Sequence, residues 1–245
     1  MDNPIALVTG ANKGIGREIA RQLAAAGHTV YVGSRDEGRG QDAIADIGGD
    51  ARLLVLDVTD AASVAAAARQ VPALDILVNN AGINTAEAKP VTEEDPATFR
   101  RIYETNVFGV VSVTNAFLPA LRRSAHPRIV NISSGTASLA ASAGQAEGLI
   151  AFASGPSGSY GAYRSSKTAV NELTVLYANV LADEGFKVNA LAPGARRTDL
   201  IPGARTSPRA GDPAEGAAGA VRLALLPDDG PTGGFYSWDG TLAPW

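Results

Sequence analysis

Tyr163 and Lys167 are the pair of residues whose types and spacing point most directly to chemistry. A tyrosine hydroxyl has an ordinary pKa near ~10 and exchanges protons poorly at neutral pH. A cation beside it in a partly dry pocket stabilises the phenolate and lowers that pKa. The two residues are four apart in a predicted helix, so they share one face. The spacing predicts a proton-transferring tyrosine, although Tyr160 with Arg164 has the same spacing and a half-buried helix tyrosine is common.

Serines follow a predicted strand at residues 128–132 and are candidates for holding a substrate. Ser133 and Ser134 come directly after that strand, and Ser138 lies further on. A hydroxyl at such a place can hydrogen-bond a carbonyl oxygen and hold it for attack. The residues alone do not separate Ser133 from Ser134, and a polar strand end without a reactive role is the default interpretation.

A glycine-rich turn follows the first predicted strand. It runs from Thr9 to Gly16 with the sequence T-G-A-N-K-G-I-G. Three glycines let the backbone turn tightly and approach a ligand, and the helix that follows offers free N–H groups to a pyrophosphate. The spacing G-x-x-x-G-x-G differs from the general G-x-G-x-x-G fingerprint. Its position between strand one and helix one favours a dinucleotide site over a plain glycine turn.

The end of the second predicted strand bears on which nicotinamide cofactor is used. Enzymes that use NAD usually place an acid there to bind the ribose 2′-hydroxyl. This chain has Ser34 at that position, followed by Arg35, and Lys13 lies in the glycine turn. The two cations could hold a 2′-phosphate, so we expect NADP(H) rather than NAD(H). The alternatives are that both cations are solvated surface charges, or that Asp36 turns inward and repels the phosphate.

Apolar runs alternate with amphipathic stretches, and this alternation predicts the elements that position these residues. It indicates an α/β protein with a doubly wound Rossmann sheet of about seven parallel strands, helices on both faces, and a single domain over residues 1–245. The ligand crevice then lies at the carboxyl ends of the strands. The predicted strands are 5–8, 29–32, 53–56, 75–78, 128–132, 187–191 and 235–238, and the predicted helices are 15–26, 41–47, 61–69, 98–121, 160–182 and 213–226.

Composition narrows the classes of function. The chain has 245 residues, 45% of them hydrophobic, and a formal net charge of -4. A mildly acidic surface argues against a nucleic-acid partner. The absence of cysteine, with only His28 and His126 in unrelated contexts, argues against a metal site. No signal peptide and no apolar stretch of membrane-spanning length is recognised, so we expect a cytoplasmic protein without a membrane partner.

Further short motifs follow the predicted strands and helices in a fixed order. They are Asp57-Val58 after the third strand, Asn79-Asn80-Ala81-Gly82 after the fourth, Asn106 within a helix, Ser134 after the fifth strand, Tyr163 with Lys167 as Y-x-x-x-K, and Pro193-Gly194 after the sixth strand. Together with the glycine turn, this set resembles the motif order of the short-chain dehydrogenase/reductase family, and its NADPH-dependent carbonyl reductases in particular. Seven signals in one order are far more specific than any one of them.

The resemblance implies an activity and a role for each residue. NADPH would pass a hydride to a carbonyl carbon while Tyr163 donates a proton to the oxygen, or the reverse with an alcohol. Ser134 would hold that oxygen, Lys167 would lower the tyrosine pKa and bind the nicotinamide ribose, and Asn106 would hold a water that links Lys167 to solvent. The implied cofactor contacts are Gly10, Asn12, Lys13, Gly14, Ile15, Gly16, Arg35, Asp57, Val58, Asn80, Ala81, Gly82, Pro193, Gly194 and Thr198, besides Tyr163 and Lys167.

The chain departs from the family in the length of one segment. Ser134 and Tyr163 lie 29 positions apart, farther than in most members, and the extra length is an insertion at about 138–159. Monomeric carbonyl reductases carry an insertion there, and the resemblance therefore implies a monomer. If the insertion is only a flexible loop, a homodimer or homotetramer is the alternative. The insertion and a loop at about 199–211 are expected to shape the pocket of a small carbonyl or alcohol substrate.

Two other functions are compatible with the same fold. One is a catalytically silent NADPH-binding regulatory protein, against which the intact Ser134, Tyr163 and Lys167 argue. The other is a sugar epimerase or dehydratase that recycles tightly held NAD. Arg35 and the short C-terminal part of the chain argue against it.

Overall fold

One parallel sheet organises the chain. A computed structural model describes residues 3–85, 87–145, 159–201 and 203–245. Within them seven strands pair in the order β3-β2-β1-β4-β5-β6-β7, all parallel. The chain leaves β1 in one direction and returns to pair β4 on its other side, so a crevice forms between these strands at their carboxyl ends. The strands are β1 Ile5–Val8, β2 Thr29–Ser34, β3 Ala51–Val55, β4 Ile76–Asn79, β5 Arg128–Ile132, β6 Lys187–Ala192 and β7 Phe235–Ser237.

Helices cover both faces of the sheet. On one face, α1, α2 and α8 pack Ile19, Leu23 and Leu223 against the strands. On the other face, α3, α5 and α7 form a second apolar layer in which Phe117 and Leu121 are fully buried. The predicted doubly wound α/β fold is therefore confirmed. The helices are α1 Gly14–Ala25, α2 Glu37–Ile47, α3 Ala61–Gln70, α4 Pro96–Tyr103, α5 Gly109–Leu121, α6 Leu139–Ser142, α7 Gly161–Val180 and α8 Pro213–Ala224.

Aspartates begin four of the eight helices given above. The side chains of Asp36, Asp60, Asp95 and Asp212 each accept a backbone N–H in the first turn of α2, α3, α4 and α8. Such caps satisfy donors that a helix leaves unpaired. The prediction started α2 at residue 41, four residues late, because it weighed Asp36 for its charge and not for its capping side chain.

The predicted helix over 98–121 contains an irregular turn. α4 is followed by a π-helical segment, Glu104–Phe108, and then by α5. A π turn inserts one residue into the helical ladder and often occurs at functional sites. Here it carries Asn106, whose side chain is fully buried. The continuous helix that periodicity predicted is therefore wrong at this point.

The insertion is described only at its two ends. Ser138 caps α6 by accepting the N–H of Ala141 at 3.0 Å, and the Ala140 N–H donates to the carbonyl of Trp245 at 2.9 Å. Residues 146–158 lie outside the described residues.

In the part of the chain that the structure describes, no helix has the length and apolar character needed to cross a bilayer.

Candidate active site

A cavity of about 1620 Å³ opens at the carboxyl edge of the sheet. The glycine turn, the ends of β2 to β6 and the loop between β6 and α8 border it. Every residue that the sequence predicted for catalysis or cofactor contact lines this cavity, with the exception of Asn106. The topology thus brings residues from Gly10 to Thr198 into one cleft.

The glycine turn is fixed against the end of β4. The amide nitrogen of Asn80 donates to the carbonyls of Thr9 at 2.8 Å and Gly10 at 3.1 Å, while the Thr9 hydroxyl accepts the N–H groups of Asn80 and Ala81, both at 2.9 Å. Gly10 has a φ of +61°, and a Cβ there would lie 2.9 Å from the Ala81 Cα. Asn80 therefore braces the turn as well as lining the cleft.

The N-terminus of α1 is open to the cleft. Lys13 precedes the helix in extended conformation, no side chain caps it, and its first turn holds no acidic residue. This differs from the aspartate caps of α2, α3, α4 and α8. Free N–H groups and the positive end of the helix dipole suit an anionic group. Together with the close turn at Gly10, these features fit the pyrophosphate of a dinucleotide.

Arg35 and Arg39 stand at the end of the cleft beside β2. Arg35 is exposed and makes no hydrogen bond or ion pair within the described ranges. The Asp36 carboxylate caps α2 by accepting the Arg39 N–H at 2.9 Å and lies 3.7 Å from the Arg39 Nε. It is thus engaged by its own helix. Arg39 also lines the cleft and was missed by the sequence interpretation; recognising the Asp36 cap would have placed it in the first turn of α2.

Asp57 and Val58, two of the implied cofactor contacts, line the cleft after β3. One Asp57 oxygen accepts the N–H of Thr59 at 2.9 Å and its hydroxyl at 2.7 Å. Partial burial raises the pKa of Asp57, but these hydrogen bonds and the charge of Arg35 outweigh it and hold the pKa below its usual value. Val58 packs closely on Gly109, where a Cβ would lie 2.9 Å from the valine methyl. The carboxylate is therefore ionised and ordered at neutral pH.

Tyr163 and Lys167 lie one turn apart on α7 at the bottom of the cleft. Glu94 fixes the start of this helix, since its carboxylate accepts the N–H groups of Gly161 at 2.7 Å and Ala162 at 2.8 Å. The tyrosine is 6% exposed and the lysine 4%. The Lys167 Nζ lies 5.9 Å from the centre of the Tyr163 ring. The two groups are therefore close enough to influence each other in a shielded site.

The two serines after β5 face different surroundings. The Ser134 hydroxyl lies 2.9 Å from the hydroxyl of Thr136, and its interaction with Tyr163 acts to lower the pKa of that phenol. Ser133 is buried, and its hydroxyl donates to the Asn171 Oδ1 at 2.6 Å. Successive residues point to opposite sides of an extended chain, so of the two serines only Ser134 acts on the tyrosine hydroxyl.

The pKa values of the tyrosine and the lysine move in opposite directions, both because of burial. Desolvation raises the pKa of Tyr163 to about 12, and the hydrogen bond from Ser134 opposes this only in part. Desolvation lowers the pKa of Lys167 to about 8. Burial therefore dominates the pKa values of both groups in the polypeptide. That Lys167 stabilises the phenolate of Tyr163 stays a prediction.

Lys167 and Asn106 are held by the backbone around the cleft. The Lys167 Nζ donates to the Ile132 carbonyl at 2.7 Å. The Asn106 amide donates to the Ile83 carbonyl and the Ser166 hydroxyl, both at 3.0 Å, and its oxygen accepts the Ile83 N–H at 2.9 Å. Asn106 thus ties the segment after β4 to α7. A Cβ on Gly82 would lie 3.4 Å from both the Asn106 oxygen and the Lys167 Nζ, so the two side chains adjoin the same small space.

The loop after β6 closes the far end of the cleft. Gly194 has a φ of +75°, and a Cβ added at this residue would lie 3.0 Å from the Trp238 ring. The buried guanidinium of Arg196 lies 4.4 Å from the centre of that ring, donates to the Pro193 carbonyl at 2.7 Å and pairs with Glu215. The sequence interpretation missed Arg196. Its position directly after the Pro-Gly motif was the available signal, and its burial under Trp238 depends on the folded structure.

Lys13 is joined to the loop at the opposite side of the cleft. Its Nζ lies 3.2 Å from one oxygen of Asp199, and Arg205 lies 3.2 Å from the other. Thr198 reaches the same turn, because a Cβ on Gly14 would lie 3.3 Å from the threonine methyl. The glycine turn and the loop between β6 and α8 are therefore in direct contact.

Comparisons with known proteins agree with this arrangement. Residues 4–208 match the family model described as short chain dehydrogenase. (-)-Isopiperitenone reductase of Mentha piperita is 34% identical, with 97% of each chain covered. An NADPH-bound carbonyl reductase from chicken fatty liver superposes with a TM-score of 0.84 and 28% identity over 100% of both chains. A 3-ketoacyl-(acyl-carrier-protein) reductase from Brucella melitensis complexed with NADH gives 0.80 and 27% identity, with 96% of each chain covered.

The parallel sheet, the open turn at α1 and the group of Ser134, Tyr163 and Lys167 define an NAD(P)-dependent oxidoreductase. The chain belongs to the short-chain dehydrogenase/reductase family. The predicted family is thereby confirmed.

Proposed function

We propose that this chain reduces the carbonyl group of a small molecule with NADPH and catalyses the reverse oxidation, with Tyr163 as the proton-transferring residue. One observation carries the proposal: Ser134 and the buried Tyr163 line the same cleft that receives the open N-terminus of α1, and Ser134 is close enough to act on the pKa of the tyrosine hydroxyl. The nicotinamide supplies the hydride when it is bound. The polypeptide supplies the proton and the alignment.

Tyr163 has the protonation state that carbonyl reduction requires. With a pKa raised to about 12, the phenol is protonated throughout the neutral range. It can therefore donate its proton to a carbonyl oxygen as that oxygen gains negative charge. The Ser134 hydroxyl, oriented by Thr136 at 2.9 Å, donates a second hydrogen bond to the same oxygen.

Lys167 is the group best placed to stabilise and restore the phenol. Its Nζ is 5.9 Å from the tyrosine ring, and burial lowers its pKa to about 8, so it remains mostly protonated at neutral pH. A positive charge at this distance stabilises the phenolate left after proton donation. The space shared with Asn106 beside Gly82 is where a water that relays the proton would sit.

The preference for NADP(H) rests on the cationic end of the cleft beside β2. Ser34 stands where an NAD enzyme usually has an acid. Arg35 and Arg39 both line the cleft, and Asp36 is engaged as the cap of α2. Structural relatives include one bound to NADPH and one complexed with NADH, so the residues of this chain carry the argument.

A substrate and cofactor panel tests the proposal. Ketones, aldehydes and secondary alcohols are assayed with NADPH and with NADH at equal concentration, beside calorimetric binding of both cofactors. We expect turnover of at least one carbonyl class, with kcat/KM higher for NADPH. Tight NADPH binding without turnover on any member would instead favour the regulatory binding protein on the same fold.

The subunit state follows from the insertion at about 138–159. By analogy with monomeric carbonyl reductases, we propose that the chain is a monomer. The central part of the insertion, residues 146–158, lies outside the described residues. The proposal of a monomer is therefore supported by the length of the insertion alone. Light scattering that shows a stable dimer or tetramer at assay concentration would contradict this.

A further inference from the structure

Asp199 lies between two cations that come from different parts of the cleft. One oxygen is 3.2 Å from Lys13 in the glycine turn, and the other is 3.2 Å from Arg205 in the loop between β6 and α8. Lys13 has no other ion pair among the residues that the structure describes. A single carboxylate thus partly neutralises the lysine that the sequence assigned to the 2′-phosphate of the cofactor.

We propose that Asp199 is a specificity-determining residue that competes with the cofactor's 2′-phosphate for Lys13 and so limits the preference for NADP(H) over NAD(H). This rests on the proposed function, because it requires Lys13 to serve a 2′-phosphate. A ligand with a free 2′-hydroxyl leaves the Lys13–Asp199 pair intact. A ligand with a 2′-phosphate draws Lys13 away and leaves Asp199 with Arg205 alone.

The charges decide which partner Lys13 takes. A phosphate monoester carries about -1.5 to -2 charges at pH 7, compared with -1 for a carboxylate. The positive end of α1 lies in the same turn. Arg35 at the end of β2 makes no hydrogen bond or ion pair within the described ranges, and its charge acts on Asp57 only through space. A 2′-phosphate therefore outcompetes Asp199, but the displaced ion pair subtracts from its affinity.

The exposure of the pair sets the size of the effect. The side chains of Lys13 and Asp199 are 59% and 42% exposed, and exposed ion pairs contribute little because solvent screens them. Removal of the carboxylate should therefore tighten 2′-phosphate ligands by about two- to fivefold. The effect should shrink as salt is added, because screening acts on the same pair.

The contact between the two segments gives Asp199 its place. Thr198 packs on Gly14, because a Cβ built on that glycine would lie 3.3 Å from the threonine methyl. The Thr198 N–H donates to the Arg196 carbonyl at 2.8 Å. This holds the next residue over the start of α1. Asp199 thus follows directly on Thr198, the loop residue that contacts the glycine turn.

Calorimetry with two small probes tests the proposal on the intact chain. The probes are 2′,5′-ADP, which carries the 2′-phosphate, and 5′-AMP, which lacks it. They are titrated at low ionic strength into the wild type, Asp199→Asn, Lys13→Gln and the double variant. Asp229→Asn serves as the matched control, because Asp229 is an exposed aspartate outside the cleft lining. Thermal unfolding verifies that each variant is folded.

We expect Asp199→Asn to tighten 2′,5′-ADP by about two- to fivefold and to leave 5′-AMP unchanged. In the Lys13→Gln background the same substitution should have no effect, and Asp229→Asn should change neither probe. An unchanged affinity in Asp199→Asn, or equal tightening without Lys13, overturns the role of Asp199. If the wild type binds 2′,5′-ADP no more tightly than 5′-AMP, the NADP(H) assignment itself is overturned.

Discussion

The Lys167 ammonium lies 5.9 Å from the centre of the Tyr163 ring, one turn along α7, and both side chains are almost completely buried. At this separation the polypeptide does not produce an acidic phenol: the pKa of Tyr163 rises to about 12 and that of Lys167 falls to about 8. The site therefore holds a protonated phenol beside an ammonium group whose pKa is lowered. This arrangement suits reduction near neutral pH.

The buried ammonium should make the fold less stable at neutral pH than at high pH. Lys167 has a folded pKa of about 8, below the usual lysine value of 10.5. Below pH 8 the lysine is charged in both states and its burial penalty is present in full. Between about 8 and 10.5 the unfolded chain binds more protons, so this contribution to stability rises with pH.

Lys167→Met removes that dependence. Urea unfolding of wild type and variant at pH 7 and pH 10 should show the wild type gaining about 2 kcal/mol relative to the variant. The difference in unfolding free energy between the two proteins cancels the contributions of groups that titrate equally in both. In the folded protein Tyr163 remains protonated at both pH values. An equal difference at the two pH values would contradict a depressed lysine pKa.

The two serines after β5 should separate activity from stability. Ser134→Ala is expected to lower kcat/KM by about 10²-fold, since it removes a donor to the carbonyl oxygen, with little change in unfolding free energy. Ser133→Ala should keep activity but lose about 1–3 kcal/mol, because it leaves the buried Asn171 oxygen without its donor. Steady-state kinetics and urea unfolding of both variants check this, and exchanged effects would identify Ser133 as the reactive serine.

Arg35 should discriminate between the cofactors. Arg35→Gln is expected to raise the KM for NADPH by at least about tenfold, the effect of losing a hydrogen bond to a charged group, and to leave the KM for NADH within twofold. Arg69→Gln, an exposed arginine on α3 outside the cleft lining, is the control for net charge. Equal losses with both cofactors would place Arg35 outside the 2′-phosphate site.

Local patterns in the sequence were sufficient for the sheet and for the residues that follow each strand. β1 and the first three residues of β4 are apolar runs that the structure buries almost entirely, and such runs indicate parallel strands covered on both faces. Because parallel strands present their carboxyl ends at one edge, the residues after them had to converge. This is why the predicted site residues share one cleft.

Contacts between distant segments were beyond what local patterns can show. Asn106 in the π turn bonds Ile83, 23 positions away, and the pair of Lys13 with Asp199 joins residues 186 positions apart. The different surroundings of Ser133 and Ser134 depend on which side of the chain after β5 is covered by α7, and the local sequence does not show this. The tyrosine pKa depends on burial by several elements, and spacing along one helix carries no information about that.

Single-turnover reduction by Tyr163→Phe tests the central claim most directly. Tyr160→Phe is the matched control, because this neighbouring tyrosine was the alternative at the same spacing from a cation. The account predicts that Tyr163→Phe binds NADPH within twofold of wild type but reduces the carbonyl about 10²- to 10⁴-fold more slowly, while Tyr160→Phe remains close to wild type. Near-normal reduction by Tyr163→Phe would contradict the account.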